Sequence, residues 1–340
     1  MTAGAFRVGL SHDLYSATAQ TSWGEIELGL LDDAGIAWEF LPPDEGSLTA
    51  AAVDGYDAIL FAAPAITAQT VSGPRAPLLM ARFGVGLDAV DLAACTAAGV
   101  AVTITPDGAR RAVATAALAM MLAVDHHLIG KHRLVEQGRW QDKAQLMGRG
   151  LSGRTVGTVG LGNVARELFS LLQPFGTVNL ASDPRQAASG AQTGGIELAD
   201  LSQVLRRCDI LVVTAALTPE TRHLIDRKAL ALMKPDAIIV NVARGPIIET
   251  DALVDALAAG RLAGAGLDVF EIEPLPVDHP LITMENVVLS PHALAWTDEM
   301  ARGNGSSAIR SILAIRDRVP PTHLVNPDVL KHRRFHHGSD

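Results

Sequence analysis

Only two cysteines, Cys95 and Cys208, occur in the 340 residues. Each stands in an apolar stretch, and neither belongs to a metal-ligand spacing. No metal site and no disulfide framework is expected, and a reducing cytoplasm is the expected location. Basic excess is also missing, since the formal net charge is −9. That argues against a nucleic-acid partner, which would need a basic face. It leaves room for a small anionic ligand, because a few arginines can serve one locally. The first residues, MTAGAFRVGL, lack the apolar core and cleavage site of a secretory signal. The longest apolar run, AVATAALAMMLAV at 112–124, is too short to span a bilayer and meets Asp125, His126 and His127. A buried or interface helix is expected there, not a membrane partner.

What is present reads as well-packed α/β protein. Hydrophobic residues make up 48% and charged residues 19%, and the length suits two domains. In the first hundred residues, FRVGLS, AILFAA, LLMARFG and VAVTITP read as buried strands. WGEIELGLLDDAG and VDLAACTAAG read as helices, each closed by glycine. A long helical region follows over about 109–137. A second alternating series begins near Thr155, with strands TVGTVG, TVNLAS, DILVVTAA, AIIVNVA, GAGLDVF and NVVLSP. Helices such as DLSQVLRRC and TDALVDALAAG lie between most of them. Continuous apolar strands separated by helices imply a parallel sheet covered on both faces, and six such strands match a Rossmann-type domain. The polar, His-rich end from 331 to 340 is expected to be a flexible tail rather than a metal site.

The stretch TVGTVGLGNVARELF, residues 155–169, carries a near-complete dinucleotide fingerprint. Gly160 makes the tight turn. Gly162 lets a pyrophosphate approach the backbone at the helix N-terminus, where Asn163 and Val164 begin the helix. Ala165 stands at the third glycine position, which serves only helix–strand packing and tolerates one methyl. The next strand ends at Asp183, where a carboxylate would grip the ribose 2′-hydroxyl and repel a 2′-phosphate. NAD is therefore preferred over NADP, although Arg185 is close by. The structural alternative is that Asp183 only starts the turn before Pro184.

Three later strands end in unusual residues. AIIVNVARG ends in Arg244, AGLDVFEIEPLP in Asp268, Glu271 and Glu273, and NVVLSPHALAW in Pro291 and His292. Each alone would pass as a surface or packing residue. In an open parallel sheet, however, ligands bind outside the carboxyl ends of the strands. An arginine, a glutamate and a histidine together on that edge form a candidate site.

Those motifs, with VGLGNVA, LTPETRHLI at 217–225 and ARFGVGLDAVD at 81–91, resemble the NAD-dependent D-2-hydroxyacid dehydrogenases over almost the whole chain. The resemblance implies two doubly wound parallel-sheet domains: a Rossmann NAD-binding domain over 107–297 and a smaller flavodoxin-like substrate domain, discontinuous, over 1–106 plus 298–330. It implies that Arg244 binds the carboxylate and carbonyl of a 2-keto acid, that His292 is the general acid, and that Glu273, just before Pro274, orients it and fixes its tautomer. Glu271 is the rival for that pairing. NAD would be held by Gly160, Gly162, Asn163, Val164, Asp183, Thr214, Ala215, Val242, Ala243, Asp268 and His292, with Asp268 near the nicotinamide carboxamide. Backbone amides of Val85 and Gly86 would hold the substrate carboxylate.

Some positions depart from the family pattern. Thr214 and Ala216 replace a common His and Pro, which bears on cofactor affinity. Thr115 replaces a common Glu in a helix near the domain junction. Arg82 could meet a second anionic group of the substrate or form a surface salt bridge. Trp296 could wall the pocket or belong to the core. The implied activity is hydride transfer between NAD(H) and a small 2-keto acid such as glyoxylate, hydroxypyruvate or its phosphorylated analogue. A phosphite dehydrogenase-like enzyme and an NADH-sensing corepressor-like protein are the alternatives. Helix 112–124 is expected to expose more apolar surface than a monomer would want, and the resemblance implies a homodimer through the NAD-binding domain.

Overall fold

A computed structural model describes residues 6–190 and 193–335. The chain divides into two compact units, Met1–Ala112 with Trp296–Asp340, and Val113–Ala295.

The first unit holds strands β1 (Arg7–Leu10), β2 (Ala37–Phe40), β3 (Ala58–Phe61), β4 (Leu79–Arg82) and β5 (Ala101–Thr103) in the parallel order β2-β1-β3-β4-β5. This is the flavodoxin-like order. β3 is buried at every position, as its unbroken apolar run requires. β2 alternates between exposed and half-buried residues. An edge strand of that kind shows no continuous apolar run, and it was absent from the expected strands. The helix expected over WGEIELGLLDDAG is confined to Gly29–Asp33, because Glu27 takes a left-handed φ of 64° that a helix cannot include. The C-terminal helix Asp298–Arg316 packs on β3 and β4 and buries Ala301, Ala308, Ile309, Ile312 and Ile315 among the residues of that sheet.

The expected tail is corrected over its first half. The Arg334 guanidinium donates to the carbonyls of Ala76, Pro77 and Gly99 at 2.5, 3.0 and 3.2 Å, and Phe335 packs against the core. These loop carbonyls need donors, and arginine supplies several from one side chain. The rest of that stretch, 336–340, lies outside the described residues.

The second unit continues with β6 (Thr155–Val159), β7 (Val178–Ser182), β8 (Glu197–Leu198), β9 (Ile210–Val213), β10 (Ile238–Asn241), β11 (Gly264–Leu267) and β12 (Val287–Leu289). They pair in parallel in the order β12-β11-β10-β9-β6-β7-β8. Six of them follow the Rossmann order, with β12 added outside and the switch point between β6 and β9. The seventh strand, β8, has two residues, too few to announce itself by periodicity.

Two expectations about the long helical region are corrected. It breaks after Pro106–Asp125, because His127 adopts a left-handed φ of 49°, and a second helix, Leu128–Glu136, departs at 56°. The Ala-rich segment is also not an exposed face: Ala114, Ala117, Met120, Met121 and Val124 are buried in the core that includes Val156, Val212 and Val240. Small side chains let this helix lie close to the sheet, with Met120 and Val124 against Gly264 and Gly266. Exposed apolar residues occur instead at Leu128, Val135, Trp140 and Met147. Among the described residues no single helix is long and apolar enough to cross a membrane.

Candidate active site

The carboxyl ends of β6, β7 and β9 meet at the switch point. Gly160 turns the chain there with φ of 91°, and an added Cβ would lie 3.0 Å from the Ala215 Cα. Both the conformation and the close approach require glycine. The Thr214 hydroxyl lies 3.1 Å from the carbonyls of Val159 and Gly160 and donates within that turn, stapling β9 to it. Gly162 is the N-cap of helix Asn163–Leu172 and offers no side-chain cap, so the first amides of the helix are left without an internal acceptor. A Cβ built on Gly162 meets no atom within 4 Å. The chain thus fits a pyrophosphate: an uncapped helix N-terminus faces open space that a side chain would fill. Ala165 is fully buried in the helix–sheet core, so its methyl serves packing.

Asp183 does more than the fingerprint requires. Its Oδ2 accepts from the Leu161 amide at 2.8 Å, and its Oδ1 accepts from Arg185 and Gln186 at 3.0 Å each. The structural alternative is therefore realised as a helix cap. The same carboxylate also ties the glycine turn to β7, and it stands at the strand end where a ribose would lie.

At the carboxyl ends of β10, β11 and β12, each side chain is fixed by a short chain of hydrogen bonds. Asn241, almost fully buried, accepts from the Ala243 amide and donates to the Arg244 carbonyl, both at 3.0 Å. Arg244 Nη1 donates to the Ala243 carbonyl at 2.7 Å. A Cβ at Gly245 would lie 1.8 Å from the Phe270 carbonyl carbon, so the arginine loop and the segment after β11 are in direct backbone contact. Val242 and Ala243 link the end of β10 to Arg244.

His292 takes a left-handed φ of 55°. Its Nδ1 lies 2.8 Å from Glu273 Oε2, and Glu273 Oε1 accepts from the Phe270 amide at 2.9 Å. A carboxylate only accepts, so Nδ1 carries the hydrogen and Nε2 is the nitrogen left to exchange a proton. The rivalry between the two glutamates is thereby resolved. Glu271 turns the other way, to His223 Nε2 at 2.5 Å and the Thr250 amide at 2.8 Å. Burial pushes the Glu271 carboxyl up, but hydrogen bonds from Thr250 and His223 outweigh it and hold it below the usual carboxylate range. Asp268, buried at the end of β11, accepts from the amides of Ala293 and Leu294 at 3.0 and 3.1 Å and so anchors the loop that presents His292.

Sequence reasoning missed Asn241, His223 and Thr250. Only Asn241 left a signal, as a lone amide at the end of an apolar strand. The other two act through partners distant in the chain.

In the first unit, Arg82 folds onto its own loop. Its Nε donates to the Gly86 carbonyl at 3.0 Å, and its guanidinium carbon lies 5.5 Å from the centre of the Phe61 ring. Val85 is exposed at the tip of that loop. Trp296 is 55% exposed, which rules out the core reading. It leans on Trp23 with ring centres 3.9 Å apart, and Trp23 in turn meets Phe83 at 5.0 Å.

A Rossmann sheet with an intact phosphate turn, and a carboxylate-held histidine two strands beyond an arginine, defines a dinucleotide-dependent oxidoreductase. Residues 118–293 match the family described as D-isomer specific 2-hydroxyacid dehydrogenase, NAD binding domain. The chain is 37% identical over 259 residues to a glyoxylate reductase of Thermofilum pendens, covering 75% of this chain and 76% of that one. It is 36% identical over 248 residues to a D-3-phosphoglycerate dehydrogenase of Methanocaldococcus jannaschii, covering 73% of this chain and 47% of that longer one. A crystal structure of a Thermus thermophilus protein superposes with a TM-score of 0.82 at 29% identity, covering 94% of this chain and 100% of that one. The chain belongs to the D-isomer-specific 2-hydroxyacid dehydrogenase family. It is an NAD-dependent enzyme that transfers hydride between the cofactor and a 2-hydroxy or 2-keto acid. Neither phosphite oxidation nor a corepressor-like role is favoured by these relatives.

Proposed function

We propose that this enzyme reduces a small, singly charged 2-keto acid, glyoxylate or hydroxypyruvate, and that Arg244, Glu273 and His292 carry the reaction. The observation that carries this reading is the 2.8 Å Glu273–His292 pair between the segments that follow β11 and β12, with β11 beside the strand that leads to Arg244. The Arg244 guanidinium matches a carboxylate in shape and charge and also reaches the neighbouring carbonyl oxygen. His292 gives its Nε2 proton to that oxygen as the carbonyl carbon is reduced, and in the reverse direction it accepts the proton. Glu273 keeps the imidazole in the tautomer this needs. Bound NADH supplies the hydride.

The cofactor's pyrophosphate is assigned to Gly160, Gly162, Asn163 and Val164, and its ribose to Asp183. Thr214 and Ala215 are assigned to the adenosine side, Val242, Ala243 and Asp268 to the nicotinamide side. Backbone amides of Val85 and Gly86 are assigned to the substrate carboxylate, and Trp296 to the side wall of the site. Arg82 is engaged with Gly86 and Phe61. It therefore serves as a brace of the Val85–Gly86 loop, which favours singly charged acids over the phosphorylated analogue. The glyoxylate reductase named above supports the same choice.

A cytoplasmic homodimer through the NAD-binding unit is part of the proposal. Its support is the exposed apolar set Leu128, Val135, Trp140 and Met147 on one continuous segment of that unit. A monomer in light scattering at micromolar concentration would refute the dimer.

The test is NADH consumption against glyoxylate, hydroxypyruvate, phosphohydroxypyruvate, pyruvate and longer 2-keto acids, repeated with NADPH. Highest kcat/KM with glyoxylate or hydroxypyruvate and NADH is expected. Highest rates with the phosphorylated acid would return Arg82 to the role of anion reader. No turnover despite NADH binding would overturn the reading.

A further inference from the structure

The segment after β11 carries a second histidine–carboxylate pair that the reaction does not use. Glu271 and Glu273 are two residues apart and serve two different histidines. Glu273 holds His292, and Glu271 holds His223. Both histidines adopt a left-handed backbone, φ 55° at His292 and 51° at His223. That conformation is uncommon outside glycine and persists where the surroundings over-determine it.

His223 stands on a segment that runs alongside the arginine loop. The His223 amide donates to the Pro246 carbonyl at 2.8 Å, Ile225 to Ile247 at 3.0 Å, and Glu249 back to Ile225 at 3.1 Å. Glu271 closes this assembly from the other side. One oxygen meets His223 Nε2 at 2.5 Å, and the other accepts from the Thr250 amide at 2.8 Å, where the following helix begins. At the near end of the loop, Gly245 lies against the Phe270 backbone with no room for a Cβ. The loop over residues 244–250 is therefore clamped at both ends to the segment that also carries Glu273.

We infer that Glu271 and His223 are positioning residues that fix the arginine loop, and with it Arg244, against the segment that carries Glu273, and so govern affinity for the keto acid. Neither residue touches the reacting atoms in this assignment. It rests on the reading of Arg244 as the carboxylate anchor. A displacement of the guanidinium by a fraction of an ångström weakens a bidentate contact, whereas the glycine turn that holds NAD is on other strands.

The experiment compares Glu271→Gln, His223→Ala and His223→Gln with wild type, together with Arg244→Ala as the control. It measures KM for glyoxylate, kcat, the NADH dissociation constant by fluorescence, and the melting temperature. The expected result is a rise of about tenfold in keto-acid KM for Glu271→Gln and His223→Ala, with the NADH dissociation constant unchanged. His223→Gln keeps a donor for Glu271 and should recover most of the loss. The double variant Glu271→Gln, His223→Ala should be no worse than the worse single one, because both break one pair. An unchanged KM in both single variants, or a KM that rises only in step with the NADH constant, would overturn the inference. If Arg244→Ala also left KM unchanged, the anchor reading itself would fall. If Arg244→Ala raised KM and the pair variants did not, only the clamp would.

Discussion

The two parallel sheets are built by one logic and end in different chemistry. Each has buried apolar strands, right for a sheet covered on both faces. Each ends its strands in loops with polar side chains. In the first unit several of those polar groups pair with one another. Asp13 accepts from Ser11 and from the Ala63 amide, and Thr105 bridges the Gly84 amide and the buried Asn304 side chain. In the second unit, buried Asn241 and Asp268 hold the loops from beneath. A half-exposed arginine and histidine are thereby presented at the carboxyl edge. The sheet supplies the edge, while the side chains placed beneath it decide whether that edge is closed or chemical.

The sharpest way to break the contrast is His292→Ala. It should lower kcat by about a thousandfold while NADH binding is retained, since only the proton donor is lost. Stopped-flow reduction and NADH fluorescence check both halves, and near-normal turnover would sink the assignment. Next in size is Arg244→Ala, for which kcat/KM with glyoxylate should fall about a hundredfold through loss of charge-assisted hydrogen bonds. Unchanged kinetics would remove the anchor role.

A change beneath the first sheet should behave differently. Thr105→Val leaves the buried Asn304 with one partner fewer, and it should cost about 1–3 kcal/mol in denaturant unfolding with kcat little altered. A large loss of kcat without loss of stability would show that the first edge is chemical too. The smallest effect is expected from the thiols, one in each unit. Burial pushes Cys95 up to about 11 and Cys208 up to about 12. Thiolate is the reactive form, so neither should react with a thiol reagent at neutral pH until the chain unfolds. Rapid labelling of one in the native protein would show that its unit opens more readily than the other.

Much of this is legible in the sequence alone. Strand runs such as AIIVNVA, the turn at Gly160 and the tolerance of Ala165 depend on residues a few positions apart. Spacing is enough to read them. Arg244 and His292 stand out because each follows a strand at the edge where ligands bind, whereas Glu273 is singled out from Glu271 only by the resemblance to the family.

The rest depended on partners far along the chain. β2 has an alternating edge pattern, and its place is set by pairing with β1. The segment 112–124 looks the same whether its apolar face meets solvent or β11, and packing decided for β11. No spacing says which of Glu271 and Glu273 faces His292, or that the other would find His223, 48 residues away. Periodicity, turn glycines and the residues at strand ends are local properties, fixed by backbone sterics within a few positions. Which side chain braces which loop is settled only when the folded backbone brings distant polar groups within hydrogen-bond reach.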